Sequence, residues 1–239
     1  MTADEYSQSI DWDEIYAAFH DPESVARRIL GELDGGAGPV LFCGFPAVAA
    51  YLAEQVELVF IDSSRVITER ARCRYPALSS IITGDVMEVL RCHPAKQVVI
   101  SGRLSAFWQD QQNLEELAAA LGCFERRCVL IDFFDRDAIY SNLEVHFEQP
   151  RCQGKERGKW LFNQISKVSP AVPAIYRANL QVTYNVGSTR CSYATTRAFF
   201  SKADIDAWCQ RRLPDYQTLL SPPLLENDLG FLLKLIGRT

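Results

Sequence analysis

The chain has 239 residues, 48% of them hydrophobic and 23% charged, with a formal net charge of −5. That is enough apolar material for a sizeable core, and it is too acidic for a general nucleic-acid binder, which needs a basic face against phosphates. No apolar run reaches membrane-spanning length and the polar start MTADEYSQSIDWDE is no signal peptide, so neither a membrane nor a nucleic-acid partner is expected and a cytoplasmic setting is.

Asp11 to Phe19 has the composition of a short helix, with Ile15, Tyr16 and Phe19 on one side. A second helix starts at once, with Asp21 at the N-cap, Pro22 at the first helical position and Val25, Ile29 and Leu30 as its apolar stripe. Gly35-Gly36-Ala37-Gly38 then breaks the helix and delivers the chain to PVLFCGFPAVAAYLAEQVELVFID. This stretch reads as one βαβ unit: strand Pro39–Cys43, a turn at Gly44-Phe45-Pro46, helix Ala47–Gln55, and strand Glu57–Ile61 ending in Asp62. The first strand is too apolar to have a wet face and belongs in the middle of a parallel sheet. The turn aims helix-start amides at whatever lies over the carboxyl edge of the sheet, a seat for an anion. An acid at the tip of the second strand is placed to grip ribose hydroxyls, so the unit points to a nucleotide or nucleoside site.

The rhythm repeats through helix Ser63–Arg74, strand Ser79–Ile82 before Thr83-Gly84-Asp85, a short helix Val86–Arg91, and strand Gln97–Ile100 before Ser101-Gly102-Arg103. Helix Asn113–Leu121 and a fifth strand, Arg127–Phe133, complete a doubly wound parallel sheet. Beyond Asp135 the pattern changes. Asp135–Pro173 is irregular with one expected helix, Glu156–Ile165, and then Ile175–Val186 and Arg190–Phe200 form an antiparallel hairpin. Ser201-Lys202-Ala203-Asp204 opens a helix that points Ile205, Trp208 and Cys209 inward, and Tyr216–Leu220 with Gly230–Ile236 forms a closing strand pair. The basic strip Arg151, Lys155, Arg157 and Lys159 reads as a solvated face. The eight cysteines include no CxxC pair and the three histidines lie far apart, so no metal site is expected and the thiols read as reduced, several of them in the core.

With its turn at Gly44, acid at Asp62 and Gly84-Asp85 after the third strand, the chain resembles the small-molecule branch of the class I S-adenosylmethionine-dependent methyltransferases. The resemblance spans about Val40 to Phe133, and SKADIDAWCQ with GFLLKLIGR is similar to the usual ending of that family. It implies a Rossmann-like α/β fold with a mostly parallel seven-stranded sheet, an antiparallel terminal strand pair and an inserted β-hairpin, all in one domain. Residues 1–34 would form N-terminal helices or a lid that includes Tyr6, Trp12 and Tyr16. Residues 35–134 would form the cofactor core, 135–200 a substrate cover, and 201–239 the closing helix and strands. It further implies S-adenosylmethionine as cofactor, held by Gly44, Phe45, Asp62, Ser63, Asp85, Val86 and Ser101. Three positions depart from the family pattern. Pro46 and Val48 stand where later glycines of the turn would fall, and Phe42 stands where an acid is usual.

The substrate is expected to be a small molecule with an O or N nucleophile, lined by Tyr16, Trp108, Phe133, Trp160 and Tyr193. His146 is the candidate general base and Tyr140 its companion. Three other readings stay open: aminopropyl transfer or cyclisation on the same cofactor fold, a non-catalytic binding protein on that fold, and a nicotinamide oxidoreductase, for which GxGxxG is lacking. Pairing of two chains through the Tyr- and Thr-rich hairpin also stays open.

Overall fold

The computed structural model describes residues 11–35, 38–102, 108–148, 157–169, 171–186, 189–224 and 229–238. Tyr6, Arg103, Arg151 and Lys155 lie outside the described residues, as do Gly187 and Ser188 of the expected hairpin turn. Helices α1 (Trp12–Phe19) and α2 (Pro22–Glu32) precede strand β1 (Val40–Cys43). Four helix–strand steps follow: α3 (Pro46–Ala53) and β2 (Leu58–Asp62), α4 (Arg65–Arg74) and β3 (Ile81–Thr83), α5 (Val86–Cys92) and β4 (Gln97–Ile100), α6 (Gln111–Gly122) and β5 (Cys128–Phe134). The chain then forms α7 (Arg136–Ser141), β6 (Glu144–Glu148), β7 (Arg157–Ser169), β8 (Ile175–Val186) and β9 (Thr189–Phe199). It returns through α8 (Lys202–Arg212) to β10 (Tyr216–Ser221) and β11 (Gly230–Gly237).

The main sheet has seven strands in the order β10-β11-β5-β4-β1-β2-β3. Strands β1 to β5 are mutually parallel, and β11 runs antiparallel to both β5 and β10. Every residue of β1, β4 and β5 is buried, as the unbroken apolar runs require when helices cover both faces. One layer packs Leu41, Val98 and Ile131, with Leu233 and Leu235 of β11, against α6 and α8; the other packs Val40, Phe42, Phe60 and Val99 against α2, α3 and α4.

The register places all the turns that matter on one edge. Cys43 pairs with Ile61 and with Ile100, Ile100 pairs with Ile131, and Asp62 pairs with Thr83. Gly44, Ser63, Gly84 and Ser101 therefore leave the sheet side by side.

The segment after β5 differs from its expected form. Glu156–Ile165 is not a helix, and Ile175–Phe200 is not an isolated hairpin: β6, β7, β8 and β9 make a second, four-stranded antiparallel sheet in that order. The contiguous Trp160-Leu161-Phe162 suits either period, but Gly158 and Phe162 are buried with half-buried Trp160 between them, a spacing of two that belongs to a strand. A register shift between Asn163 and Ser166, with Gln164 at φ 51°, bends β7. The buried face of this sheet, Phe162, Ala178, Leu180, Val182 and Tyr184, packs against Ile15 of α1, Phe134 and Ile139. A bridge between Asp135 and Phe200, with Arg136 N–H donating to Phe200 O at 2.8 Å, ties it to the exit of β5. No helix among the described residues is long and apolar enough to cross a membrane.

Candidate functional site

Asp11 begins the site. Its carboxylate accepts the Glu14 amide at 3.1 Å and so starts α1, which lies across the opening of the turn after β1. That turn is built around Gly44: a Cβ there would stand 2.7 and 2.9 Å from the Phe42 ring and 3.2 Å from Ser101 Cβ, so only glycine fits. Gly102, at φ +70°, lets the Phe45 ring lie against its backbone, where an added Cβ would meet that ring at 2.6 Å. The Phe45 ring also stacks on Tyr16 of α1, with ring centroids 3.8 Å apart and planes 19° apart.

The first amide beyond Pro46 is already engaged. Ala47 N–H donates to Asp13 Oδ1 at 2.8 Å, across 34 residues of sequence. Tyr75 Oη donates to Asp13 Oδ2. Arg74 holds Asp11 at 2.6 Å and stands 3.7 Å from Asp13. Burial pushes the Asp13 carboxyl above its ordinary value, against the bonds from Tyr75 and the Ala47 amide that pull it down. Burial acts on Asp11 too, but the hydrogen bonds from Arg74 and the Glu14 amide outweigh it and hold that carboxyl low. Tyr75 is driven up by burial and by its bond to Asp13.

Asp62 and Asp85 carry local duties as well as facing the site. Asp62 Oδ1 accepts the Ser64 amide at 2.7 Å. Asp85 Oδ1 accepts the amides of Met87 at 2.8 Å and Glu88 at 3.2 Å, capping α5. A carboxylate has about four lone-pair sites, so the two bonds at Oδ1 do not exhaust the acceptor capacity of Asp85. Cys43 also faces the site, but burial first, and then the charges of Asp62 and Asp85, push its thiol far up and make it a poor nucleophile.

These groups bound a cavity of about 680 Å³ over the carboxyl edge of the main sheet, within the range of small-molecule sites. Gly44, Phe45, Asp62, Ser63, Asp85 and Val86 line it, and so do Tyr16, Trp108, Trp160 and Tyr193. Its far half is roofed by the second sheet and α1, with Trp12 edge-on to Tyr193 at 4.9 Å and Phe19 beside Tyr184 at 5.2 Å. Trp160 Nε1–H donates to Tyr184 Oη at 2.7 Å, which fixes both rings. Arg197, 7% exposed, also lines the cavity, its guanidinium donating to Thr195 Oγ1 and, at 3.1 Å, to Thr196 O.

Four expected residues are placed elsewhere. His146 lies on exposed β6, with Nε2 2.8 Å from Glu144 Oε1. Tyr140 is 50% exposed and sits edge-on to Tyr176 and Phe199. Phe133 is enclosed in the core, stacked on Phe231 at 5.5 Å, because its side chain points to the sheet face opposite that of Phe134, which does line the cavity. Ser101 is buried, its amide donating to Cys43 O at 2.8 Å, and its neighbours Ile100 and Gly102 line the cavity in its place. Conversely, Asp13, His20, Arg74, Tyr75, Tyr184 and Arg197 line it although no sequence pattern singles them out. For Asp13 and Tyr75 no local signal exists, since their partners are set by how α1 docks. Among the described residues no group of three or more His, Cys, Asp or Glu side chains could hold a metal ion.

Comparison with known proteins finds no matching family model and no curated relative. Solved structures do match. An S-adenosylmethionine-dependent methyltransferase from Clostridium acetobutylicum aligns at a TM-score of 0.69 and 8% identity, over 98% of this chain and 98% of that one. DesVI of Streptomyces venezuelae aligns at 0.68 and 13%, over 95% and 99%. CalS10, an amino pentose methyltransferase from Micromonospora echinaspora solved with S-adenosylmethionine bound, aligns at 0.64 and 13%, over 100% and 98%. At these identities the similarity establishes the fold: a Rossmann-like methyltransferase fold with a seven-stranded, mostly parallel sheet.

Proposed function

We propose that this chain is an S-adenosylmethionine-dependent methyltransferase acting on an O or N nucleophile of a small molecule. The observation that carries the reading is a continuous cavity bounded by the Gly44 turn, Asp62 and Asp85 on the sheet edge and by aromatic rings of the second sheet opposite. The residues present suit the cofactor. Asp62 would accept the ribose hydroxyl protons, Asp85 the adenine amino proton, and the Val86 amide would face a ring nitrogen. Gly44 and Phe45 line the cavity at the turn, beside which the chain that joins ribose to the amino-acid end would run.

When bound, the cofactor supplies an electrophilic methyl group on a sulfonium. The protein's part is to hold a nucleophile about 3 Å from that carbon and keep water out. Trp108, Phe134, Trp160 and Tyr193 make the dry wall on the substrate side, and aromatic faces also favour a cation beside them. His20 is the histidine of this chain that lines the cavity, its ring 4.8 Å from Tyr16, and it takes over the proton-accepting role expected of His146. A sugar N-methyltransferase and an amino pentose methyltransferase are among the solved structures of similar fold, which supports an amine or hydroxyl on a polar small molecule as acceptor. The four-stranded sheet would set substrate choice.

The test is a melting curve. S-adenosylhomocysteine at about a hundredfold over its dissociation constant adds about 2.7 kcal/mol of stability. A matching shift with a nicotinamide dinucleotide, and none with the homocysteine nucleoside, would favour the oxidoreductase reading instead.

A further inference from the structure

We infer that Asp13, carried by α1, is the carboxylate that holds the α-ammonium group of the cofactor's amino-acid end. The inference rests on the cofactor reading above and extends it to a residue outside the cofactor core.

The direction of the bound nucleoside follows from the sheet. Asp62 ends β2 and Asp85 follows β3, while Gly44 follows β1, and the strands lie in the order β1-β2-β3. With the base at Asp85 and the ribose at Asp62, the remaining amino-acid end points to the turn at Gly44-Phe45-Pro46. A primary ammonium there needs a counter-charge out of bulk water. β1 does not provide one: Phe42 is fully buried in the core and Cys43 is a neutral thiol. Asp13 does. The residue is 8% exposed and lines the cavity, and its carboxylate is fixed at 2.8 Å on the amide of Ala47, the residue immediately after the turn.

The other acids are less suited. Asp11 is held by both terminal nitrogens of Arg74, at 2.6 and 3.3 Å. Glu116 belongs to α6, which follows β4 on the opposite side of β1. Asp13 instead takes its two hydrogen bonds from uncharged donors, one to each oxygen, with Arg74 standing off at 3.7 Å from Oδ2, so each oxygen retains a second lone pair. The same arrangement means that the α3 start is already occupied by an anion of the chain itself. That corner therefore offers a ligand an acceptor with negative charge, where the sequence alone suggested a seat for the ligand's carboxylate. α1 is thereby part of the binding site.

The test compares two ligands on one variant. Asp13→Asn keeps an oxygen for Ala47 N–H and nearly the same shape, and removes the charge. Calorimetric affinity for S-adenosylhomocysteine should fall about tenfold or more. Affinity for 5′-methylthioadenosine, the same nucleoside without the amino-acid end, should stay within about twofold, because its contacts at Asp62 and Asp85 are untouched. An unchanged affinity for S-adenosylhomocysteine overturns the inference, as does an equal loss for both ligands, which would make Asp13 a packing residue of α1. A crystal structure of the wild-type protein with S-adenosylhomocysteine tests it without any variant. The ammonium nitrogen should lie within about 3.2 Å of an Asp13 oxygen, and an ammonium held elsewhere refutes the assignment. If the wild-type protein binds neither ligand, the cofactor reading itself has failed, an outcome distinct from the other results, and the inference falls with it.

Discussion

Asp62→Asn is the change that best separates a binding acid from a structural one. Asp62 Oδ1 accepts the Ser64 amide at 2.7 Å, the bond that shapes the entry into α4, where Ser64 then caps the Ile67 amide at 3.3 Å. Asparagine can keep that acceptor, so the local turn should survive and the melting temperature without ligand should barely move. What is lost is the charge presented to the ribose. A hydrogen bond to a charged group contributes about 1.5–3 kcal/mol, so S-adenosylhomocysteine should bind about 10- to 150-fold more weakly to the variant. Isothermal titration at moderate salt reads the ratio directly, and a melting curve of the free protein reports on the fold. Affinity within twofold of wild type, with the fold intact, would reduce Asp62 to a strand-end cap. Equal loss of affinity and of stability would mean that the Ser64 bond had failed, and Asp62→Glu would then be no better.

Three other outcomes are expected. Gly44→Ala forces a methyl group to 2.7 Å from the fully buried Phe42 ring and should cost about 1–3 kcal/mol in denaturant unfolding; a neutral result would show that the turn has slack. Phe162→Ala, at a residue 2% exposed between the second sheet and Phe134, should cost about 3–5 kcal/mol, and a loss below about 1 kcal/mol would mean that this sheet is not packed as described. The Asp13 carboxyl is raised by burial, so its contribution is complete below the ordinary carboxyl value and is lost as pH rises through the raised one. Asp13→Asn stands in for the protonated form, so its melting temperature relative to wild type should climb as pH rises above the ordinary carboxyl value of about 3.9; a difference that shrinks would show that the bonds from Tyr75 and Ala47 outweigh the burial.

The doubly wound sheet was legible because its strands are continuous apolar runs punctuated by glycine, proline and acids at their carboxyl ends. Val40–Cys43, Gln97–Ile100 and the run ending at Phe134 leave no polar face to be read in another way. The same reasoning failed at Glu156–Ile165, where helical composition masked the two-residue spacing that a strand with one covered face requires. Site residues divide along the same line. Asp62 and Asp85 were visible because strand ends are sequence features. Phe133 and Phe134 differ by one position, and only the pleat decides which of them faces the cavity. Asp13 meets Ala47, and Trp160 meets Tyr184, through docking of α1 and of the second sheet, contacts that no local spacing encodes.

The most direct measurement is calorimetric titration of the purified wild-type protein with S-adenosylhomocysteine, accompanied by a melting curve that establishes the fold. Saturable binding at one site per chain is expected, lost in large part on Asp62→Asn and on Asp13→Asn. A folded protein that gives no heat and no melting shift with this ligand or with S-adenosylmethionine would contradict it.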